Sequence, residues 1–200
     1  MLPETTMAAI SAALSLGLSF ECDLQVLSCG HVVLLHDDTL ERTAAPWSEA
    51  TGLEERQYRK VVTAPAATLS WDDVRSVDVG SWFDATHRDE RVPLFSQALQ
   101  ALLEADVGDE DDKCVFAELK SVVGDEGGTG TMPAVDSQLV EAASAVAAAQ
   151  GLKPEQLTWI SFSRAVACEA KRRMPSHRAL LIKQCGAVRL EPRTLAEITA

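Results

Sequence analysis

Short apolar segments alternate along the chain with longer segments whose apolar residues have helical spacing. The short segments predict β-strands at residues 21–26, 31–35, 114–120, 157–162 and 178–183. The longer segments predict helices at residues 4–16, 95–103, 135–150, 164–173 and 194–200. Strands that alternate with helices favour a parallel α/β fold with helices packed outside the sheet. Only residues 27–30 separate the first two strands, which predicts a hairpin at that point.

The first predicted strand carries acidic side chains on one face only. Glu21 and Asp23 alternate with Phe20, Cys22 and Leu24, so the two carboxylates project from the same face, about 7 Å apart along the strand. Two neighbouring carboxylates repel each other, and a hard cation or a basic partner stabilises both as anions. The strand therefore predicts a metal site.

Two other predicted strands supply matching groups. Glu118 and Lys120 share one face of the strand at 114–120, and His36 directly follows the apolar strand at 31–35. If these faces converge with Glu21 and Asp23, the site holds three carboxylates, one ammonium and one imidazole. This set suits a divalent cation that binds a phosphate, with a histidine to transfer protons.

These motifs, in this order, resemble those of the glycerophosphodiester phosphodiesterase family. The similarity spans nearly the whole chain and involves Pro3-Glu4-Thr5-Thr6, Glu21-x-Asp23, His36-Asp37-x-x-Leu40-x-Arg42, Asp78-x-Gly80-Ser81-Trp82-Phe83, Val92-Pro93, Glu118-Leu119-Lys120 and Ser161-Phe162. The resemblance implies a (β/α)₈ TIM barrel of the phospholipase-C-like type. It also implies that a divalent metal, commonly Ca²⁺ or Mg²⁺, is used to cleave glycerophosphodiesters into glycerol 3-phosphate and an alcohol.

The resemblance implies that Glu21, Asp23 and Glu118 are the metal ligands. The alternative is a network of structural salt bridges from these acids to residues such as Lys120 and Arg42.

The resemblance also implies that His36 is a catalytic acid or base, and that Lys120 and Arg42 bind the substrate phosphate. The structural alternatives are that His36 is a loop histidine that caps a turn, and that Arg42 anchors its own loop. Asp37 is expected to orient the neighbouring loop.

The length of the chain predicts an incomplete barrel. A (β/α)₈ barrel typically needs about 250 residues, whereas this chain has 200. The family usually opens with a strand that ends in His-Arg-Gly and supplies a second catalytic histidine, and it closes with further strands. We expect a fragment, an incomplete gene model or a degenerate copy that binds a divalent cation weakly and turns over poorly. The rival hypotheses are a non-catalytic barrel remnant that binds a partner, and a related phospholipase C or D.

Composition narrows the partners and the domain organisation. The net charge of −12 argues against binding to nucleic acid or to anionic membranes, and no segment is long and apolar enough for a membrane helix. Five cysteines without a C-x-x-C pair predict free thiols, which weakly favours a reducing compartment such as the cytoplasm. We predict one domain over residues 1–200, with residues 44–68 as an insertion or lid because they lack periodicity.

Overall fold

A five-stranded sheet forms the centre of the computed structural model, which describes residues 1–48, 51–105, 113–122 and 132–182. The strands are β1 (Phe20–Val26), β2 (Val32–Leu34), β3 (Val115–Leu119), β4 (Leu157–Ser161) and β5 (Arg178–Leu181). They lie in the order β2-β1-β3-β4-β5, and the pairs β1–β3, β3–β4 and β4–β5 are parallel. The predicted parallel α/β fold is confirmed.

The predicted hairpin is confirmed as well, because β1 and β2 pair in antiparallel fashion with Leu24 opposite Leu34. The Leu35 amide donates a hydrogen bond to the Asp23 carbonyl at 3.0 Å. The hairpin therefore returns the chain to the acidic strand just before His36.

The helices begin and end where local chemistry favours it. They are α1 (Met7–Ser15), α2 (Glu55–Thr63), α3 (Trp71–Val74), α4 (Phe95–Ala105), α5 (Ala134–Gln150) and α6 (Arg164–Arg173). Thr6 caps α1 by accepting a hydrogen bond from the Ala9 amide, and Ser70 and Asp73 form a capping box on α3. Gly151 ends α5 in the left-handed conformation, at φ 68°, which a glycine adopts without steric cost.

The main core lies between the outer face of the sheet and the helices α1, α4, α5 and α6. Cys22, Leu24 and Trp159 point into it from the strands, and Leu99 and Leu102 from α4 are fully buried. Burial of each large aliphatic side chain stabilises the fold by about 1.5–3 kcal/mol. The apolar residues of β1 thus occupy one face, which leaves its acidic residues on the other.

A second core corrects the prediction for residues 44–68. We predicted a segment without periodicity, but it contains the helix α2, whose Tyr58, Val61 and Val62 are buried against Leu40 and Val74. These three apolar residues recur at helical spacing among charged neighbours, a pattern too short to stand out by periodicity alone. The role of this segment as an insertion or lid remains a prediction.

Some predicted segments lie wholly or partly outside the described residues. The helix at 194–200 and the last residue of the strand at 178–183 are among them.

Candidate active site

Three carboxylates meet on the inner face of the sheet, opposite the main core. One ligand atom each of Glu21, Asp23 and Glu118 lies within 4.8 Å of the others. The register of β1 against β3 explains this convergence, because Asp23 is directly opposite Glu118 in the parallel pair. Asp23 and Glu118 are nearly buried, at 6% and 7% exposure, and Glu21 is exposed. We call Glu21, Asp23 and Glu118 the carboxylate trio.

Lys120 bridges two members of the carboxylate trio. Its Nζ lies 2.8 Å from Asp23 Oδ1 and 2.8 Å from Glu118 Oε1, and its side chain is 17% exposed. Burial alone would lower the pKa of Lys120, but the hydrogen bonds to Asp23 and Glu118 outweigh it and raise the pKa above its ordinary value. Lys120 is therefore a charged ammonium beside two carboxylates.

Glu21 carries the excess charge of the site. The residue as a whole is exposed, yet its carboxyl group lies against other acids and loses water on that side. Burial, followed by repulsion from Asp23 and Glu118, raises the pKa of Glu21 to about 7. A single ammonium does not balance three carboxylates, so binding of a further positive charge would stabilise the trio.

The donor set of the carboxylate trio fits a divalent cation. Ca²⁺ and Mg²⁺ bind carboxylate oxygens in preference to nitrogen or sulfur, and two positive charges would balance what Lys120 leaves uncompensated. The alternative of a purely structural salt-bridge network accounts for Asp23 and Glu118, which pair with Lys120, but gives Glu21 no ion-pair partner among the described residues.

A second polar network contains His36. His36 Nδ1 lies 2.7 Å from Asp37 Oδ1, and the His36 side chain is 56% exposed. Arg42 Nε donates to Asp37 Oδ2 at 2.6 Å, and Arg42 Nη2 donates to Glu4. The hydrogen bond from Arg42, assisted by the one from His36, lowers the pKa of Asp37 to about 2. Asp37 is thus an ionised acceptor at neutral pH.

The structure brings the predicted metal residues together, and it pairs Arg42 with Asp37 and Glu4. His36 lies near enough to Glu21 to oppose, in small part, the rise in the pKa of Glu21. The guanidinium of Arg42 pairs with Asp37 and Glu4, as the loop-anchoring alternative requires, and its role in phosphate binding stays a prediction. The role of Glu4 could not be predicted, because nothing in the sequence links it to a partner 38 positions away.

Two of the quoted motifs form structural hydrogen bonds. Ser161 is fully buried, and its hydroxyl donates to the Leu119 carbonyl at 2.8 Å, which ties β4 to β3 just before Lys120. The Asp78 carboxylate accepts hydrogen bonds from the amides of Gly80 and Ser81, at 2.9 Å each, and so closes its own turn.

Comparison with solved structures identifies the fold. A glycerophosphodiester phosphodiesterase from Agrobacterium tumefaciens superposes with a TM-score of 0.63 at 22% identity, over 89% of this chain and 60% of that one. A putative glycerophosphoryl diester phosphodiesterase from Silicibacter pomeroyi gives a TM-score of 0.68 at 18% identity, over 98% and 68% of the two chains. These neighbours are TIM-barrel enzymes, so the described sheet is part of that barrel type, as predicted.

Sequence comparison gives the family. A curated glycerophosphodiester phosphodiesterase from Caldanaerobacter subterraneus subsp. tengcongensis is 25% identical over 187 residues, which is 93% of this chain and 63% of that protein. This chain therefore spans less than two thirds of the length of that relative. The family model for the glycerophosphoryl diester phosphodiesterases matches residues 1–185. With a match over most of its length, the chain belongs to the glycerophosphoryl diester phosphodiesterase family.

Proposed function

We propose that this protein hydrolyses glycerophosphodiesters to glycerol 3-phosphate and an alcohol, in a reaction that depends on a divalent cation, Ca²⁺ or Mg²⁺. The observation that carries the proposal is the carboxylate trio, three acids from two strands within 4.8 Å of one another. Family membership gives the reaction class. A phosphodiesterase from Oleispira antarctica, whose solved structure has a similar fold, contains the product sn-glycerol-3-phosphate, which supports this choice of product.

The carboxylate trio would hold the cation, and Lys120 would lie beside the phosphate. A divalent cation, when bound, neutralises phosphate charge in the way a Lewis acid does. Lys120 already contacts Asp23 and Glu118, which engage two of its three N–H donors, so the third is available to a phosphate oxygen beside the trio. In this proposal Lys120 both limits repulsion in the free site and attracts the substrate.

His36 would transfer the proton. Asp37 is ionised and can only accept, so the 2.7 Å contact requires that His36 Nδ1 donates its hydrogen to Asp37. In the neutral ring Nε2 then carries the free lone pair, and it can take a proton from a hydroxyl nucleophile or return one to the leaving alcohol. The exposure of the His36 side chain keeps Nε2 accessible to a substrate.

A second histidine acts in the mechanism that the resemblance implies. The other histidines, His31, His87 and His177, do not lie in the His-Arg-Gly motif from which the resemblance draws that second histidine. His31 stacks on Trp71 at 5.8 Å between ring centroids, the His87 ring lies 6.1 Å from that of Phe83, and His177 is buried. We therefore expect slow turnover by residues 1–200, through His36 without a paired histidine.

The test combines cation binding with hydrolysis. Calorimetry with Ca²⁺ and Mg²⁺ measures binding to the wild type, to Asp23→Asn, and to Glu141→Gln, which alters an exposed acid on α5. Release of glycerol 3-phosphate from glycerophosphocholine is followed with cation and with EDTA. We expect binding by the wild type and the control, loss of binding in Asp23→Asn, and turnover that EDTA abolishes. Hydrolysis that EDTA leaves unchanged would contradict the proposal, as would equal cation binding by Asp23→Asn and the wild type.

A further inference from the structure

A chain of charged contacts runs from the start of the protein to His36. Glu4, which lies before α1, pairs with Arg42, and Arg42 pairs with Asp37, which in turn contacts His36. The two ends are separated by more than thirty positions in sequence, and the fold brings them together. We call these four residues the His36 network.

Arg42 holds both oxygens of Asp37. Its Nε donates to Oδ2 at 2.6 Å, and its Nη2 donates to Oδ1 at 3.1 Å. The same Oδ1 accepts from His36 Nδ1. This two-point contact fixes the plane and rotation of the carboxylate, so it also fixes where the imidazole finds its acceptor.

A contribution to the stability of the fold explains the ion pairs of the His36 network poorly. The side chains of Arg42, Glu4 and Asp37 are 45%, 41% and 32% exposed, and ion pairs at such exposure contribute little to folding. A role as phosphate ligand would depend on Nη1 alone, because Nε and Nη2 of Arg42 already donate to Asp37 and Glu4. Orientation of Asp37 is the remaining consequence of the geometry.

We propose that Arg42, held by Glu4, is a positioning residue that fixes Asp37 so that His36 keeps its proton on Nδ1 and leaves Nε2 free. The inference rests on the proposed function in one respect, that His36 transfers a proton. The tautomer itself can be observed without any turnover. Because the contact with Asp37 has two points, a lysine, which offers a single ammonium, is not an adequate replacement.

The direct test is the tautomer of His36, read from long-range ¹H–¹⁵N spectra of the full chain near pH 8. The His36 signal is assigned by its absence in His36→Gln. We expect predominantly Nδ1–H in the wild type and a shift towards Nε2–H in Arg42→Gln, Arg42→Lys and Asp37→Asn. Glu4→Gln should give a smaller shift, since Arg42 keeps its contacts with Asp37. The matched control is Arg59→Gln, which removes an exposed arginine paired with Glu55 on α2.

A kinetic test separates positioning from phosphate binding. If Arg42 is a positioning residue, Arg42→Gln lowers kcat at least about tenfold and changes KM little. This loss is smaller than the full contribution of general acid–base catalysis, because His36 itself is still present. A phosphate ligand would instead raise KM.

An unchanged His36 tautomer in folded Arg42→Gln, as judged by circular dichroism, would overturn the inference even if the protein hydrolyses its substrate. A tautomer shift in a protein that shows no hydrolysis would support the positioning role and count against the proposed function instead.

Discussion

Replacement of Lys120 by methionine tests whether the carboxylate trio is short of positive charge. Lys120 Nζ contacts Asp23 and Glu118 at 2.8 Å each, and both acids are nearly buried. Methionine retains most of the apolar stem of lysine, so Lys120→Met removes the charge while largely preserving the packing. The variant leaves three neighbouring carboxylates without their ammonium partner.

The expected loss of stability is large. Removal of one partner from a buried ion pair costs about 3–5 kcal/mol, and in a chain of this size 1 kcal/mol shifts Tm by about 2–4 °C. We therefore expect Tm to fall by about 6–20 °C at pH 8. At pH 5 the loss should be smaller, because protonation of the Glu21 carboxyl relieves part of the repulsion. A divalent cation at 100 times its Kd should restore about 2.7 kcal/mol.

The assay is urea unfolding at pH 5 and pH 8, with EDTA or with Ca²⁺. The matched control is Lys60→Met, which removes an exposed lysine on α2. Equal unfolding free energies for Lys120→Met and Lys60→Met at pH 8 would refute the reasoning, and so would a Lys120→Met variant that Ca²⁺ does not stabilise.

Three further predictions concern titration and packing. In the absence of cation, ¹³C spectroscopy should show the Glu21 carboxyl titrating near pH 7. Because its pKa is raised from 4.5, its contribution to stability is present below about pH 4.5 and is lost as the pH rises through 7. Glu21→Gln should remove this pH dependence of stability. Burial lowers the pKa of His177, so below its ordinary pKa of 6.5 the unfolded chain binds more protons than the folded chain does. Tm should therefore fall as the pH drops below 6.5, and it should fall less in His177→Phe. A Cβ at Gly80 would lie 2.0 Å from the His87 carbonyl oxygen, so Gly80→Ala should lose more than about 2 kcal/mol in urea unfolding.

Different results would contradict each of these predictions. A Glu21 titration near pH 4.5 in the free protein would mean that the trio does not crowd its carboxyl. Equal acid sensitivity of the wild type and His177→Phe would remove His177 as a cause of that sensitivity. A Gly80→Ala variant with unchanged unfolding would mean that the turn tolerates a side chain, and Gly52→Ala, where a Cβ meets no neighbour but φ is positive, calibrates the effect of backbone strain.

The acidic face of β1 could be predicted from the sequence because it depends only on the strand period. Glu21 and Asp23 alternate with core residues, and any extended strand separates the two sets. Which strand would lie beside β1 could not be predicted from the period. The pairing of β1 with β3, across some ninety residues, depends on packing of the whole chain, and the family resemblance rather than local pattern suggested it.

The partner of Arg42 and the helix α2 show where sequence reasoning stops. Arg42 has several acids within reach in the sequence, and only the fold selects Asp37 together with Glu4. The helix α2 has three core residues among nine, which is too few for their helical spacing to stand out from the polar residues around them. The hydroxyl of Tyr58 adds a buried hydrogen bond to the Ala45 carbonyl, a tertiary contact without a local signal.

Among the described helices, none is both long enough and apolar enough to cross a membrane. The described cysteines, Cys22, Cys29, Cys114 and Cys168, are free thiols, which confirms that part of the cysteine prediction.

Diffraction from a crystal soaked in Mn²⁺ tests the metal site most directly, because the anomalous signal locates the ion without reference to activity. We expect one strong peak within about 2.5 Å of carboxylate oxygens from Glu21, Asp23 and Glu118. No peak at the carboxylate trio under saturating Mn²⁺, with Lys120 still bridging Asp23 and Glu118, would contradict this expectation.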